Sequence, residues 1–189
     1  MRSQHFSRNV IALFVLFVPA AIFFFGSSAN ATIMQRLEIE ELARNSTDVF
    51  HGQILSTQVY WNAEHTRIYT GVNVRISETF KGTGRPGNTI RVVQLGGEKD
   101  GFKTDYAGRP DFTAGESVVL FTTRTRNNEL TVVGLKQGKM LVNGQTVTRD
   151  FSGLMMLGRS KPGKTPQLVK LTTMQLTLSE LRQQVSRAK

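Results

Sequence analysis

The chain has 189 residues, a formal net charge of +10 and no cysteine, which excludes disulfide staples, thiolate catalysis and cysteine metal sites. The charge is unevenly placed: residues 32–158 hold fifteen basic and thirteen acidic side chains, whereas 159–189 hold seven basic side chains against Glu180 alone. A near-neutral body long enough for one packed core argues against nucleic-acid binding, and leaves the basic end at most a weak electrostatic contact with an anionic envelope surface.

Arg2 and Arg8 precede an apolar run from Val10 to Phe25, and the small residues after it end in Ala29-Asn30-Ala31. A positive start, an apolar middle and a small-residue exit predict a signal peptide over 1–31, cleaved after Ala31, and hence a periplasmic or secreted protein. The apolar run falls short of the roughly 20 residues that a spanning helix needs.

Leu37, Ile39, Leu42 and Ala43 among charged neighbours predict a short amphipathic helix over 35–45, closed by Asn45-Ser46-Thr47-Asp48. Val49 to Trp61 is rich in strand formers, with a change of face near Gly52–Leu55 that implies a bulge. After a polar turn at 62–65, Ile68, Thr70, Val72, Val74 and Ile76 alternate with polar residues, so the two runs form a hairpin. Lys81–Asn88 is a turn by composition, and Thr89–Leu95 a third strand. Gly96–Gly115 carries five glycines and one proline without periodicity, which predicts a long loop. Ser117–Thr123 reads as a central strand and Leu130–Leu135 as the next. Met140–Val142 and Gln145–Thr148 pair across Asn143-Gly144. Residues 158–167 read as a linker, and Thr177-Leu178-Ser179-Glu180 as the capped start of a C-terminal helix. The expected organisation is therefore a signal peptide over 1–31, a β domain over 32–157, and a basic linker with a C-terminal helix over 158–189.

Ser46-Thr47-Asp48-Val49 opens the first long strand, Lys81-Gly82 ends its hairpin, and Gly96-Gly97 ends the third strand. Phe112 with Gly115-Glu116 follows, and then Gly134-Leu135-Lys136-Gln137-Gly138-Lys139. This order resembles small exported bacterial proteins of unassigned function. Its first half is also similar to the netrin-type domain of tissue inhibitors of metalloproteinases. The resemblance spans roughly residues 46–149 and implies a mainly β fold, an OB-like barrel of five to seven strands with a short N-terminal and a C-terminal helix. Those inhibitors engage the protease metal through an N-terminal cysteine; here the expected mature terminus is Thr32 and cysteine is absent.

No catalytic set is legible. After cleavage only His51 and His65 remain as imidazole bases, and neither stands in a recognised motif. Asp100, Asp105 and Asp111 lack calcium-loop spacing, so no metal and no cofactor is expected. The reading is a non-catalytic binding or interaction module, its partner an unknown protein or envelope component. Its rivals are a protease inhibitor of altered mechanism and an envelope-associated hydrolase. Because OB-like barrels bind ligands on one face and in the flanking loops, the candidate ligand residues are Trp61, Tyr69, Gly96, Gly97, Tyr106, Arg109 and Gln137. The simpler role for Trp61 and Tyr69 is packing against the N-terminal helix, and for the glycines and Gln137 the shaping of turns and bulges.

Overall fold

A computed structural model describes residues 33–157, 165, 167–171 and 173–188. The expected signal peptide and most of the expected linker lie outside these residues. The elements run β1 (Ile33–Gln35), α1 (Ile39–Asn45), β2 (Asp48–Trp61), β3 (Ile68–Lys81), β4 (Thr89–Leu95), β5 (Gly97–Lys99), β6 (Phe102–Thr104), β7 (Ser117–Arg124) and β8 (Leu130–Val132). A 3-10 turn (Leu135–Gly138) leads to β9 (Lys139–Asn143), β10 (Thr146–Asp150), β11 (Met155–Leu157), β12 (Leu168–Val169), β13 (Thr173–Thr177) and α2 (Leu178–Arg187). The protein is mainly β, with two helices and sheets of mixed strands.

The main sheet is ordered β13-β10-β9-β7-β2-β3-β4-β8, and β8 also pairs with β7. The pairings therefore run in a cycle through β7, β2, β3, β4 and β8. The link between β4 and β8 is parallel, through Val92 and Leu130, and the link between β7 and β8 is antiparallel. Irregularities in the β2–β3 register fall between Val49 and Phe50, between His51 and Gly52 and between Ile54 and Ser56, the last two where the sequence changes face.

Two apolar clusters explain the sequence pattern. One lies within the cycle and collects Phe50, Ile54, Val72, Val74, Ile76, Val92, Val118, Leu120, Leu130 and Val132. The other lies on the opposite face, where Val49, Val119, Phe121, Met140 and Val147 meet Ile39 and Leu42 of α1 and Leu178, Leu181 and Val185 of α2. Strand β7 contributes to both clusters, which is why its sequence is a continuous apolar run instead of an alternation. Thr177 caps α2: its Oγ accepts from the Glu180 amide at 3.2 Å, and its own amide donates to the Glu180 carboxylate at 2.7 Å.

Three expectations are corrected, and two short strands are added. The first helix starts at Ile39 because residues 33–35 leave as a strand that pairs in parallel with Met155–Leu157. The 96–115 loop contains a hairpin, β5–β6, with Gly97 opposite Thr104. The strand expected over 130–135 ends at Val132, because Gly134 and Leu135 take left-handed backbone (φ 67° and 57°). Short strands β11 and β12 carry too few residues to show a period. Among the described residues no helix is long and apolar enough to cross a membrane.

Candidate binding groove

Strands β2, β3 and β4 turn a second set of side chains away from the inner cluster. Register places Ser56, Asn73 and Arg91 in one row, Gln58, Gly71 and Val93 in the next, and Tyr60, Tyr69 and Leu95 in the third. Gly71 is the centre of this grid, and its missing side chain leaves a seat on the sheet. The Arg91 guanidinium occupies that seat. A Cβ at residue 71 would stand 2.6 Å from Arg91 Nη2 and 2.7 Å from Nε. The same guanidinium lies 4.9 Å from the centre of the Tyr60 ring, which stacks beside Tyr69 at 6.1 Å and 26°. Arg91 is exposed, and no carboxylate pairs with it among the described residues.

The β2–β3 turn and the β7–β8 turn wall this face. Between them run three hollows of ≈ 330, ≈ 370 and ≈ 290 Å³. Glu129 lines all three, Val93 the first two, and Tyr69 and Asn127 the last two, so the three hollows adjoin one another along one groove. Its floor is apolar (Val93, Leu95), and its rim is polar, with Asn62, Glu64, Arg124, Arg126 and Asn128. An apolar floor with a few polar groups along its rim is the usual make-up of a ligand site.

Of the residues singled out from sequence, only Tyr69 lines this groove. Trp61 stands at the hairpin end, where its Nε1 donates to Asp100 at 2.9 Å and its ring meets His65 and the 64 % exposed Phe102. It packs there and not against α1. Gly96 and Gly97 have φ of 98° and 140°, and a Cβ on either would strike Arg109 and Thr104 or Val59 and Thr70. These glycines let the 96–115 loop fold down. Arg109, ion-paired with Asp105 and Asp111, lies against Gly96. Its hydrogen bond holds the Asp105 carboxyl below its ordinary value. The Tyr106 hydroxyl accepts from Gln94 at 3.0 Å, and the Gln94 side-chain oxygen accepts from Thr131 on the groove wall at 3.2 Å. Gln137 is 1 % exposed, far too buried to meet a ligand.

Sequence reasoning passed over Tyr60, Arg91 and Glu129. The alternation that put Tyr69 outside would also have put Tyr60 and Arg91 there once the register was known. Register is a non-local property, and nothing near residue 91 marks it.

Elsewhere on the outward face of the sheet, His51 Nε2 and Ser117 Oγ lie 2.8 Å apart, and Glu78 is the cross-strand partner of His51. Burial lowers the His51 pKa, an effect that the Glu78 carboxylate partly offsets. Glu78 is itself held by Arg182 at 2.8 and 3.0 Å. A neutral imidazole against a hydroxyl is the start of a nucleophile–base pair, but neither residue lines any of the hollows described above. Among the described residues, no group of three or more His, Asp or Glu is placed to hold a metal ion. No protein-family model matches the chain, and no curated protein is significantly similar to it.

Proposed function

We propose that the chain is an exported, non-catalytic binding module in which β2, β3, β4, β7 and β8 close an OB-type barrel and the groove over β3 and β4 receives the ligand. The cycle of strand pairings, with one parallel link and the rest antiparallel, supports the barrel. The observation that carries the function is the groove itself, with Tyr69 and the seated Arg91 on the face and between the loops where OB-type barrels take their ligands. The partner is then an envelope component. The signal-like first 31 residues support export, and mass spectrometry of the protein recovered from its producing cell tests that. A chain beginning at Thr32 is expected; one that keeps Met1 would overturn export. Amide chemical-shift mapping against envelope extracts tests the binding site, with shifts expected at Tyr69, Val93 and Glu129. Shifts confined to other faces would reject the groove.

One contact favours a hydrolase as a second reading, the 2.8 Å approach of His51 to Ser117. Turnover of any ester or amide that vanishes in Ser117→Ala would establish it. Turnover that survives that change would remove it.

A further inference from the structure

We propose that the groove is specific for an acidic oligosaccharide, one pyranose ring lying on Tyr69 and its carboxylate meeting Arg91. This rests on the groove being the ligand site. Arg91 is prepared for such a group. Gly71 seats the guanidinium flat against the sheet and Tyr60 covers part of its face, while no protein carboxylate uses its N–H edge among the described residues. A flat, held guanidinium offers two parallel N–H donors to one carboxylate, and little side-chain freedom is lost on binding.

The rest of the groove suits a sugar. The apolar floor beside Tyr69 fits the C–H face of a pyranose. Asn127 and Glu129 on the rim provide both donors and acceptors, which vicinal hydroxyls need together. An acidic peptide fits less well: β3 pairs with β2 on one side and β4 on the other, so the main chain under Tyr69 is already engaged and strand addition has no partner there. A single-stranded nucleic acid fits least, since it needs a row of aromatics for its bases, and of the two that line the groove Tyr60 is already covered by Arg91.

The test is calorimetric titration of the purified protein with short oligogalacturonates, hyaluronan oligosaccharides and muramic-acid-containing glycan strands, alongside carboxyl-reduced counterparts. Saturable binding of at least one acidic glycan is expected, with affinity falling roughly tenfold or more on carboxyl reduction. Arg91→Ala and Tyr69→Ala should each lose binding. Arg91→Lys should recover part of it, since a lysine keeps the charge but not the fork. Gly71→Ala should weaken binding by pushing the guanidinium off its seat while leaving the fold intact. Equal affinity for acidic and reduced glycans, or indifference to Arg91→Ala, would overturn the proposal. Failure of all three glycans would do the same. Titration with a glutamate-rich peptide and an oligothymidylate separates the two layers. Groove-centred amide shifts with either, and none with glycans, would reject the sugar while keeping the groove as a binding site; shifts with no probe would count against both.

Discussion

Arg149 and Gln137 form a buried clamp on the N-terminal segment. Arg149, 1 % exposed, donates from Nε to the Gln137 carbonyl at 3.2 Å and from Nη2 to the Leu37 carbonyl at 2.7 Å, with its guanidinium 4.7 Å from the centre of the Phe151 ring. The Gln137 side chain takes the Leu37 amide at 2.9 Å and gives its own N–H to the Gln35 carbonyl at 3.0 Å. Burial lowers the Arg149 pKa to about 10, and its Nη1 finds no hydrogen-bond partner among the described residues. The guanidinium is thus only partly satisfied, and it is anchored by the Gln137 and Leu37 carbonyls to which it donates.

Gln137→Ala would remove the side-chain partner of the Leu37 amide and of the Gln35 carbonyl, both in part-buried contacts. A loss of about 2–3 kcal/mol is expected in urea denaturation, with an unchanged slope. Because both side chains hold Leu37, Gln137→Ala and Arg149→Ala together should cost less than the sum of the two single changes. Strict additivity would show that the two do not act as one clamp.

The motifs that suggested a family resemblance turn out to be contacts of this fold-holding kind. Lys81 donates to the Ala43 carbonyl at 2.7 Å, which ties the β3 end to the end of α1. Gly82 has φ 96°, and any side chain there would run into the Asp48 carboxylate, which accepts from the Thr83 amide. Lys139 meets Glu116 at 2.6 Å and lies 5.1 Å from the centre of the Phe112 ring, so Phe-x-x-Gly-Glu and the lysine after Gln137-Gly138 meet in space. The long strands, the Asn143-Gly144 turn and the Thr177 cap were legible because period and turn chemistry are local. Arg149 was missed although it stands between the buried Val147 and Phe151 at an inward position, the one sign a sequence gives of a buried charge. The groove was half legible: its aromatic on β3 could be named, but its arginine lies on another strand and its glutamate in another turn.

Stability should fall on mild acidification because of His51. Its folded pKa is below the ordinary 6.5 through burial, so the unfolded chain takes up the proton first. Stability is therefore full above the ordinary value and is lost as pH falls from there through the folded pKa. Urea midpoints measured between about pH 5 and 8 should show this slope. His51→Gln, which keeps a partner for Ser117 but cannot take a proton, should flatten it. The Asp105 and Asp150 carboxyls are lowered too and act only at more acid pH. A slope that persists in His51→Gln would assign the effect elsewhere.

The C-terminal helix should depend more on its cap and apolar face than on its ion pair. Thr177→Ala removes a hydroxyl that accepts from the Glu180 amide and should cost about 1 kcal/mol. Arg182→Ala breaks the bidentate contact with Glu78, but on a half-exposed surface, and should cost no more than about 0.5 kcal/mol. Leu181→Ala empties a fully buried position under the helix and should cost about 3 kcal/mol. Thermal denaturation of the three variants should give that order, and an Arg182 effect as large as that of Leu181 would contradict it.

Gly71 and Gly138 both lack room for a side chain, yet their substitution should differ sharply. At Gly138 a Cβ would overlap the main-chain oxygen of Val133 and come within 2.9 Å of Val132 Cγ1, and neither can yield without shifting the strand that feeds the 3-10 turn. Gly138→Ala should cost about 3 kcal/mol. At Gly71 every near atom belongs to the Arg91 guanidinium, the end of a flexible, exposed side chain. Moving it forfeits a contact with Tyr60 worth about 0.5–1 kcal/mol. Restricting the unfolded chain returns about 0.4–1 kcal/mol, so Gly71→Ala should change stability by less than about 1 kcal/mol in either direction. Its effect should appear in the Tyr60 ring resonances, which lose the shift imposed by the cation beside them. A strongly destabilised Gly71→Ala would mean that the arginine is held by something stiffer than its seat on the strand.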